Sequence, residues 1–120
     1  MVPRASRKVN EAFQHGIDLF NRRAFFECHE ALEEIWMPER GPRRLFLQGL
    51  IHVAVGFYHY QQGNQPGAER QLQKGLKKLA GYLPEFDAVR TEPLYREALE
   101  SLALIRSGTK LTRFPRIMLH

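Results

Sequence analysis

The sequence is poor in cysteine and has no long apolar run. Its 120 residues include one cysteine, Cys28, so the chain cannot form an internal disulfide, which is typical of proteins in a reducing compartment. No stretch approaches the roughly 18 apolar residues that a membrane-spanning helix needs. The basic N-terminal residues are not followed by the apolar core of a signal peptide. These absences predict a cytoplasmic protein that does not associate with membranes.

The motifs of several enzyme classes are missing as well. The nine glycines form neither a P-loop nor a dinucleotide-binding fingerprint, and no recognisable motif surrounds the serines. Cys28 falls on the predicted inner face of its helix, where a buried small side chain is favoured over a nucleophile. The composition, 43% hydrophobic and 26% charged, is ordinary for a globular protein and fits a single helical domain over residues 1–120.

Apolar residues recur at helical spacing along nearly the whole chain, and no segment alternates as a core strand would. We therefore predict an all-α fold, a compact bundle of about five helices with an extended C-terminal tail lying across it. The third helix, about Pro42–Gln62, is apolar around most of its circumference, which places it at the centre. Asn21 and Thr91 are the expected N-caps of the second and fifth helices. The other helices are expected at about 6–20, 25–36, 66–82 and 92–107.

The charge of the chain is positive, with a formal net charge of +5. Basic residues are spread along the sequence rather than gathered in one stripe, which favours solubility over nucleic-acid binding. The fourth helix carries the clearest basic face, and a face of this kind is usually just solvated. That face consists of Arg70, Lys74, Lys77 and Lys78.

Two helices carry polar residues on faces that should be buried. In the segment "FFECHEALEEIW", residues 25–36, His29 falls in the middle of the apolar face and Glu33 lies one turn further, at its border. In the third helix, a narrow polar stripe interrupts an otherwise apolar cylinder. The stripe consists of Gln48, His52 and His59.

An unpaired imidazole or amide in a protein interior costs on the order of a few kcal/mol, so these side chains need partners. Gly49 and Gly56 flank the stripe, so a neighbouring helix could approach closely there. Trp36 is expected in the core, with an indole N–H that needs a partner. We predict a hydrogen-bonded polar seam between the second and third helices, with Glu30 at its edge. The predicted seam consists of His29, Glu33, Gln48, His52 and His59.

One part of the chain resembles a known family. The stretch "LFNRRAFFECHEALEEIW", followed by "FLQGLIHVAVGFYHYQQGNQPGA", is similar to the domain of unknown function 309 family, over about Phe13 to Leu83. The resemblance implies an all-helical fold and no established activity. It depends on the pattern E-x-H-E-x-x-E-x-x-W and a following Q-G-L-I, which are Glu27, His29, Glu30, Glu33 and Trp36, then Gln48, Gly49, Leu50 and Ile51.

The residues of the seam would also suit a metal ion. His29 and Glu33 stand four positions apart with Glu30 between them, which is similar to the HExxH arrangement of zinc hydrolases. His52 or His59 could supply a further nitrogen, and Glu30 would then act as the base. Against this hypothesis, Glu30 projects away from the buried face, and no second Glu-x-x-His motif is present for a di-iron site.

We favour a hydrogen-bonded seam without a cofactor in a non-enzymatic binding or scaffold domain. A buried histidine is more often part of the architecture than a ligand. The partner would be another protein or a second copy of the chain, and "YHYQQGNQPGAERQL" has the rhythm of a tetratricopeptide-type helix pair. Two alternatives stay open: a small metal-dependent hydrolase or zinc-binding protein and, less favoured, a nucleic-acid-associated basic protein.

Overall fold

A computed structural model describes residues 4–120, with side chains from residue 11 onward. Within this part, the regular structure is helical apart from isolated bridges of Val89 with Phe86 and with Leu119, which confirms the predicted all-α fold. None of the described helices is long and apolar enough to cross a membrane. The helices are α1 (Arg4–Asn21), α2 (Phe25–Trp36), α3 (Arg43–Gln61), α4 (Gln65–Leu79) and α5 (Thr91–Arg106), with a single 3-10 turn at Ala80–Tyr82.

Two helix ends are formed by glycines with positive φ, and one helix start by a side-chain N-cap. Asn64 is the N-cap of α4, where its side-chain oxygen accepts a hydrogen bond from the Gly67 amide. Gly63 and Gly108 have φ values of +77°, which lets the chain turn away at the ends of α3 and α5. The turn between α3 and α4 is therefore encoded by neighbouring residues.

The two predicted N-caps are wrong. The N-cap of α2 is Ala24, and Asn21 instead makes two hydrogen bonds with the main chain of Ile117, at 3.0 and 2.7 Å. Thr91 is the first residue of α5, and its hydroxyl donates to the carbonyl oxygen of Tyr82. Both side chains bind distant main-chain groups, so capping propensity is overridden by tertiary contacts.

α3 is the central helix, as predicted. It packs between α2 and α4, and each helix of the bundle packs on the next one in the chain. Rings from four other parts of the chain surround its two buried phenylalanines. Phe46 contacts Phe13, Tyr82 and Phe86, and Phe57 contacts Phe20, Phe25 and Phe114.

Three glycines let α3 and α4 approach closely. A Cβ atom on Gly75 would lie 2.9 Å from the Gly49 carbonyl oxygen, and one on Gly56 would lie 3.1 Å from the Leu72 amide nitrogen. The prediction that another helix could approach Gly49 and Gly56 closely is therefore confirmed, since backbone atoms of the two helices lie too close for a Cβ atom between them. The approaching helix is α4, however, and not α2.

The C-terminal tail lies across the bundle, as predicted. Leu111, Pro115 and Ile117 are buried, and the Leu111 amide donates to the Tyr60 hydroxyl at 2.7 Å. The ring of Phe114 lies 5.5 Å from Phe25 and 5.4 Å from Phe57. The tail thus covers the rings of Phe25 in α2 and Phe57 in α3.

Candidate functional site

One stripe of α3 remains accessible after its neighbours have packed. Leu45 is 47% exposed, and the other members of the stripe are half-buried, whereas most of the remaining positions from 46 to 57 are buried. The spacing of three or four residues places the members on one side of the helix. We call this stripe the α3 face, and it consists of Leu45, Gln48, His52, Val55, Tyr58 and His59.

The predicted polar stripe therefore faces solvent. It was expected to be covered by α2, but α4 occupies the glycine-rich side of α3 and α2 packs on the other side. An exposed stripe on an otherwise buried helix does not need to be satisfied within the chain. Those of its polar atoms that have no partner within the chain are available to a ligand or partner.

His52 is held by α4. Its Nδ1 lies 2.7 Å from the Gln71 side-chain oxygen, so the Nδ1–H donates and the Nε2 is left as an acceptor in the neutral ring. Partial burial lowers the pKa of His52 below its usual 6.5, the Gln71 hydrogen bond opposes this, and the charges of Lys78 and Lys74 lower it further. His52 is therefore neutral at pH 7.

Basic side chains surround His52. A depression of about 840 Å³ is bounded by His52 and by residues from α3, α4 and the turn that follows. Among the residues whose side chains are described, the lysines of this depression make no ion pair. We call it the basic depression, and its lining consists of Leu45, His52, Lys74, Lys77, Lys78, Gly81 and Tyr82.

Arg70, the fourth residue of the predicted basic face, lies outside this lining. It is exposed on α4, one turn before Lys74. The basic face is therefore divided into three lysines at the depression and an arginine beside it.

On the other side of α3, His29 makes contacts within its own helix. Its Nδ1–H donates to the Phe26 carbonyl oxygen at 3.1 Å, and its Nε2 lies 3.3 Å from a carboxylate oxygen of Glu33. The side chain is 23% exposed, so the prediction of a buried His29 is wrong. The ring of Phe26, 5.2 Å from that of Tyr58, lies between α2 and α3 at this level.

His59 also has a local partner, since the Asn64 side-chain amide donates to its Nδ1 at 3.3 Å. The three histidines thus have separate partners on α2, on α4 and in the turn before α4. The predicted hydrogen-bonded seam between α2 and α3 does not form, because each ring has a hydrogen-bond partner outside that helix pair or within its own helix. Gln48 is half-buried beside them, and Glu30 is exposed.

The predicted metal ligands do not converge either. In the part of the chain that the structure describes, no three side chains of His, Cys, Asp or Glu gather where they could hold a metal ion. His29 and Glu33 form a pair, and His52 and His59 point to partners elsewhere. Glu30 accordingly has no assembled metal site beside which it could act as a base.

Trp36 and Arg44 join the end of α2 to the start of α3. The guanidinium of Arg44 lies 4.1 Å from the centre of the Trp36 ring, and its Nη1 donates to the Trp36 carbonyl oxygen at 2.9 Å. The Trp36 ring is half-buried, and its indole N–H, which we expected to be paired, has no partner among the described residues. This contact is structural and lies apart from the basic depression.

Cys28 is excluded as a nucleophile. Its side chain is fully buried, and burial raises the pKa of the thiol to about 12, although a hydrogen bond with the Phe20 backbone acts in the opposite direction. A thiol with this pKa is protonated at neutral pH.

Sequence reasoning missed two contributors to the site. Gln71 was not singled out, although it lies between Gly67 and Gly75 at four-residue spacing and therefore on the side of α4 that packs closely against α3. The exposure of Leu45 was also missed, because an apolar residue in an apolar helix is expected to be buried. Neither residue belongs to a motif.

Two comparisons with known proteins bear on this chain. The family model described as "Domain of unknown function (DUF309)" matches residues 13–71, from the middle of α1 to Gln71 in α4. The match ends before the Leu83 expected from the resemblance. The "Uncharacterized protein YpuF" of Bacillus subtilis (strain 168) is 34% identical over 64 residues, which is 52% of this chain. The chain spans 37% of the length of that relative. The family model thus matches residues 13–71, just under half of the chain, and confirms the resemblance to the DUF309 family over this region.

Proposed function

We propose that this chain is a non-enzymatic interaction domain that binds an acidic, partly apolar protein segment on the α3 face. The observation that carries the proposal is the basic depression, where three lysines without an ion-pair partner among the described side chains surround a neutral His52. Unpaired charges of one sign beside an accessible apolar surface favour a partner of the opposite sign.

The α3 face offers the contacts that an amphipathic helix needs. Leu45, Val55 and Tyr58 are accessible apolar groups, and Phe26 of α2 is 42% exposed beside them. The apolar side of a bound segment would contact these residues, and its carboxylates would reach Lys74 and Lys78 at the edge. The Nε2 of His52 would accept a hydrogen bond from the partner.

The close packing of α3 and α4 also supports this proposal. Their glycine contacts and the short turn at Gly63 form an antiparallel pair, in keeping with the predicted tetratricopeptide-type rhythm. In such pairs, one helix commonly presents its exposed face to a peptide. This support is an analogy of architecture and identifies no partner.

The other two functions that the sequence left open are less well supported. A metal-dependent hydrolase needs ligands that converge, and the candidate histidines have separate hydrogen-bond partners. A nucleic-acid role would need a longer basic surface, whereas acidic residues of α2 lie on the opposite side of the α3 face.

The proposal is tested with two synthetic helical peptides. One carries leucine and glutamate at helical spacing, and its matched control carries lysine in place of every glutamate. Fluorescence anisotropy at low protein concentration should show binding of the glutamate peptide alone. The double variant Lys74→Glu, Lys78→Glu should weaken this binding by about 10-fold or more, because two favourable charge contacts become repulsive.

Arg70→Glu is the matched control variant, since it changes the same charge on the same helix outside the depression. It should alter binding by less than about threefold, as expected for a charge at the rim of an interface. Equal binding of both peptides, or an equal effect of Arg70→Glu and the double variant, would contradict the proposal.

A further inference from the structure

The α3 face lies between surfaces of opposite charge. On the α4 side are the lysines of the basic depression. On the α2 side, one or two turns after Phe26, Glu30 is exposed and makes no ion pair with any side chain that the structure describes, and the side chain of Glu33 is 47% exposed. The accessible surface is therefore acidic along one edge and basic along the other.

The two edges lie at the same level along α3. Phe26, at the start of α2, contacts Tyr58, and the end of α2 is bound by Arg44, so α2 runs antiparallel to α3. Gly67 lies beside His59 and Leu79 beside Gly49, so α4 is antiparallel to α3 as well. Glu30 and Lys74 each lie near the middle of these contacts, and both are thus near the level of His52.

We infer that the partner is a second copy of this chain, which meets the first through its α3 face around a two-fold axis parallel to α3. This inference rests on the proposed function and names the partner of the same surface. A rotation about such an axis keeps every residue at its level along α3 and exchanges the two edges. The acidic edge of each protomer then lies over the basic edge of the other.

The charges select this axis over the alternative. The alternative two-fold axis lies in the plane of the interface and perpendicular to α3. It would place α2 over α2 and α4 over α4, so that like charges would face each other on both sides. With the axis parallel to α3, Glu30 faces Lys74 of the second copy, and the same contact occurs twice. The surface is therefore complementary to itself in one orientation.

Exposed apolar side chains are present on the same surface. Of the seven large hydrophobic residues that are exposed in the described chain, Phe26 lies on α2 and Leu45 on α3. Phe26 is 42% exposed and Leu45 is 47% exposed. A second copy would cover these groups together with Val55 and Tyr58, and apolar groups with a charged rim are typical of protein interfaces.

The test uses charge reversal in the full chain. Sedimentation velocity should show that the wild-type protein dimerises, and that the dimer weakens as salt is added. Glu30→Lys and Lys74→Glu should each raise the dimer dissociation constant by about 10-fold or more, since each places like charges opposite one another twice. Arg116→Glu should change it by less than about threefold, because this residue lies between the C-terminal tail and α5, away from the α3 face.

Mixing the two variants provides the decisive measurement. In a heterodimer of Glu30→Lys and Lys74→Glu chains, both edges again pair opposite charges, so the mixture should dimerise where each variant alone does not. A contact within one chain cannot produce this rescue. A mixture that stays monomeric while the wild type dimerises would overturn the inference, as would a dimer that neither single variant weakens.

The outcomes also separate this inference from the proposed function. A wild-type protein that stays monomeric yet binds the glutamate peptide would overturn the dimer and leave the interaction domain standing. A protein that neither dimerises nor binds the peptide would overturn both.

Discussion

At the scale of single residues, His52 is the histidine whose surroundings alter its chemistry most clearly. It is partly buried, and its ring is oriented by the hydrogen bond that Nδ1–H donates to the Gln71 side chain. It also lies near the positive charges of Lys74 and Lys78. All of the positive neighbours favour the neutral ring, and the neutral ring leaves Nε2 free to accept. An anionic group that entered the basic depression would oppose this lowering of the pKa of His52.

His52 should make the protein less stable at mildly acidic pH. Its pKa is lowered in the folded state, so below 6.5 the unfolded chain binds more protons than the folded chain does. Its contribution to stability is then complete above 6.5 and falls as the pH drops toward the folded pKa. NMR titration of the ring should give a midpoint below 6.5, and urea unfolding of His52→Gln should lose part of the acid sensitivity.

His15 supplies the control for this titration, because it is an exposed histidine on α1, away from the depression. Its replacement by Gln should leave the slope of stability against pH closer to that of the wild type. A His52 midpoint at or above 6.5 would contradict the prediction.

The site was partly predictable at this scale. Helical periodicity correctly places Gln48, His52 and His59 along one side of α3, since that depends only on the geometry of a single helix. It does not determine which neighbour covers that side. The pairing of His52 with Gln71 depends on how α4 is rotated about its own axis, and the sequence contains no local signal for that rotation.

At the scale of helices, the contact between α3 and α4 determines how the depression is built. The helices are close enough for Gly75 to face the backbone of α3, and this brings Gln71 and the lysines beside His52. Larger side chains at the contact would move both walls of the depression apart.

Gly75→Ala should destabilise the protein by about 1–3 kcal/mol, the usual cost of overpacking. The added Cβ would lie 2.9 Å from the Gly49 carbonyl oxygen and 3.0 Å from the Val53 amide nitrogen, and backbone atoms cannot move aside cheaply. Urea unfolding measures the change in the free energy of unfolding.

Gly81→Ala is the matched control, because a Cβ there meets nothing within 4 Å and the residue has no positive φ. It should change stability by less than about 0.5 kcal/mol. Equal losses of stability from the two substitutions would contradict the prediction that overpacking at Gly75 causes the destabilisation.

The helices themselves were easier to predict than their ends. Periodic apolar residues and breakers such as Pro38 and Gly41 located all five, because these signals act within a few residues. Asn21 and Thr91 have the chemistry of N-caps but bind Ile117 and Tyr82 instead. A main-chain group elsewhere in the chain competes with the helix N-terminus for each of these side chains, and the sequence around the cap does not reveal that group.

At the scale of the whole molecule, the C-terminal tail holds the opposite ends of the chain together. Asn21 at the end of α1 binds Ile117 through both atoms of its amide group, across 96 positions of sequence. Phe114 completes the cluster of rings formed by Phe25 and Phe57. The tail is therefore part of the core and not an appendage.

Asn21→Ala should destabilise the protein by about 1–3 kcal/mol, because it leaves both main-chain groups of Ile117 without their partner. Hydrogen exchange should show faster exchange of the Ile117 amide, with little change at residues of α4. Arg22→Ala, an exposed neighbour, is the control and should leave this exchange unchanged. Equal protection of Ile117 in both variants would contradict the role of Asn21.

The long-range closure by the tail has a consequence for synthesis of the protein. A ribosome makes the chain from the N-terminus, so α1, α2 and α3 emerge well before Phe114 and Ile117 are translated. Until then, the rings of Phe25 and Phe57 lack one of their covering groups. The cluster of rings is therefore completed only after Phe114 has left the ribosome.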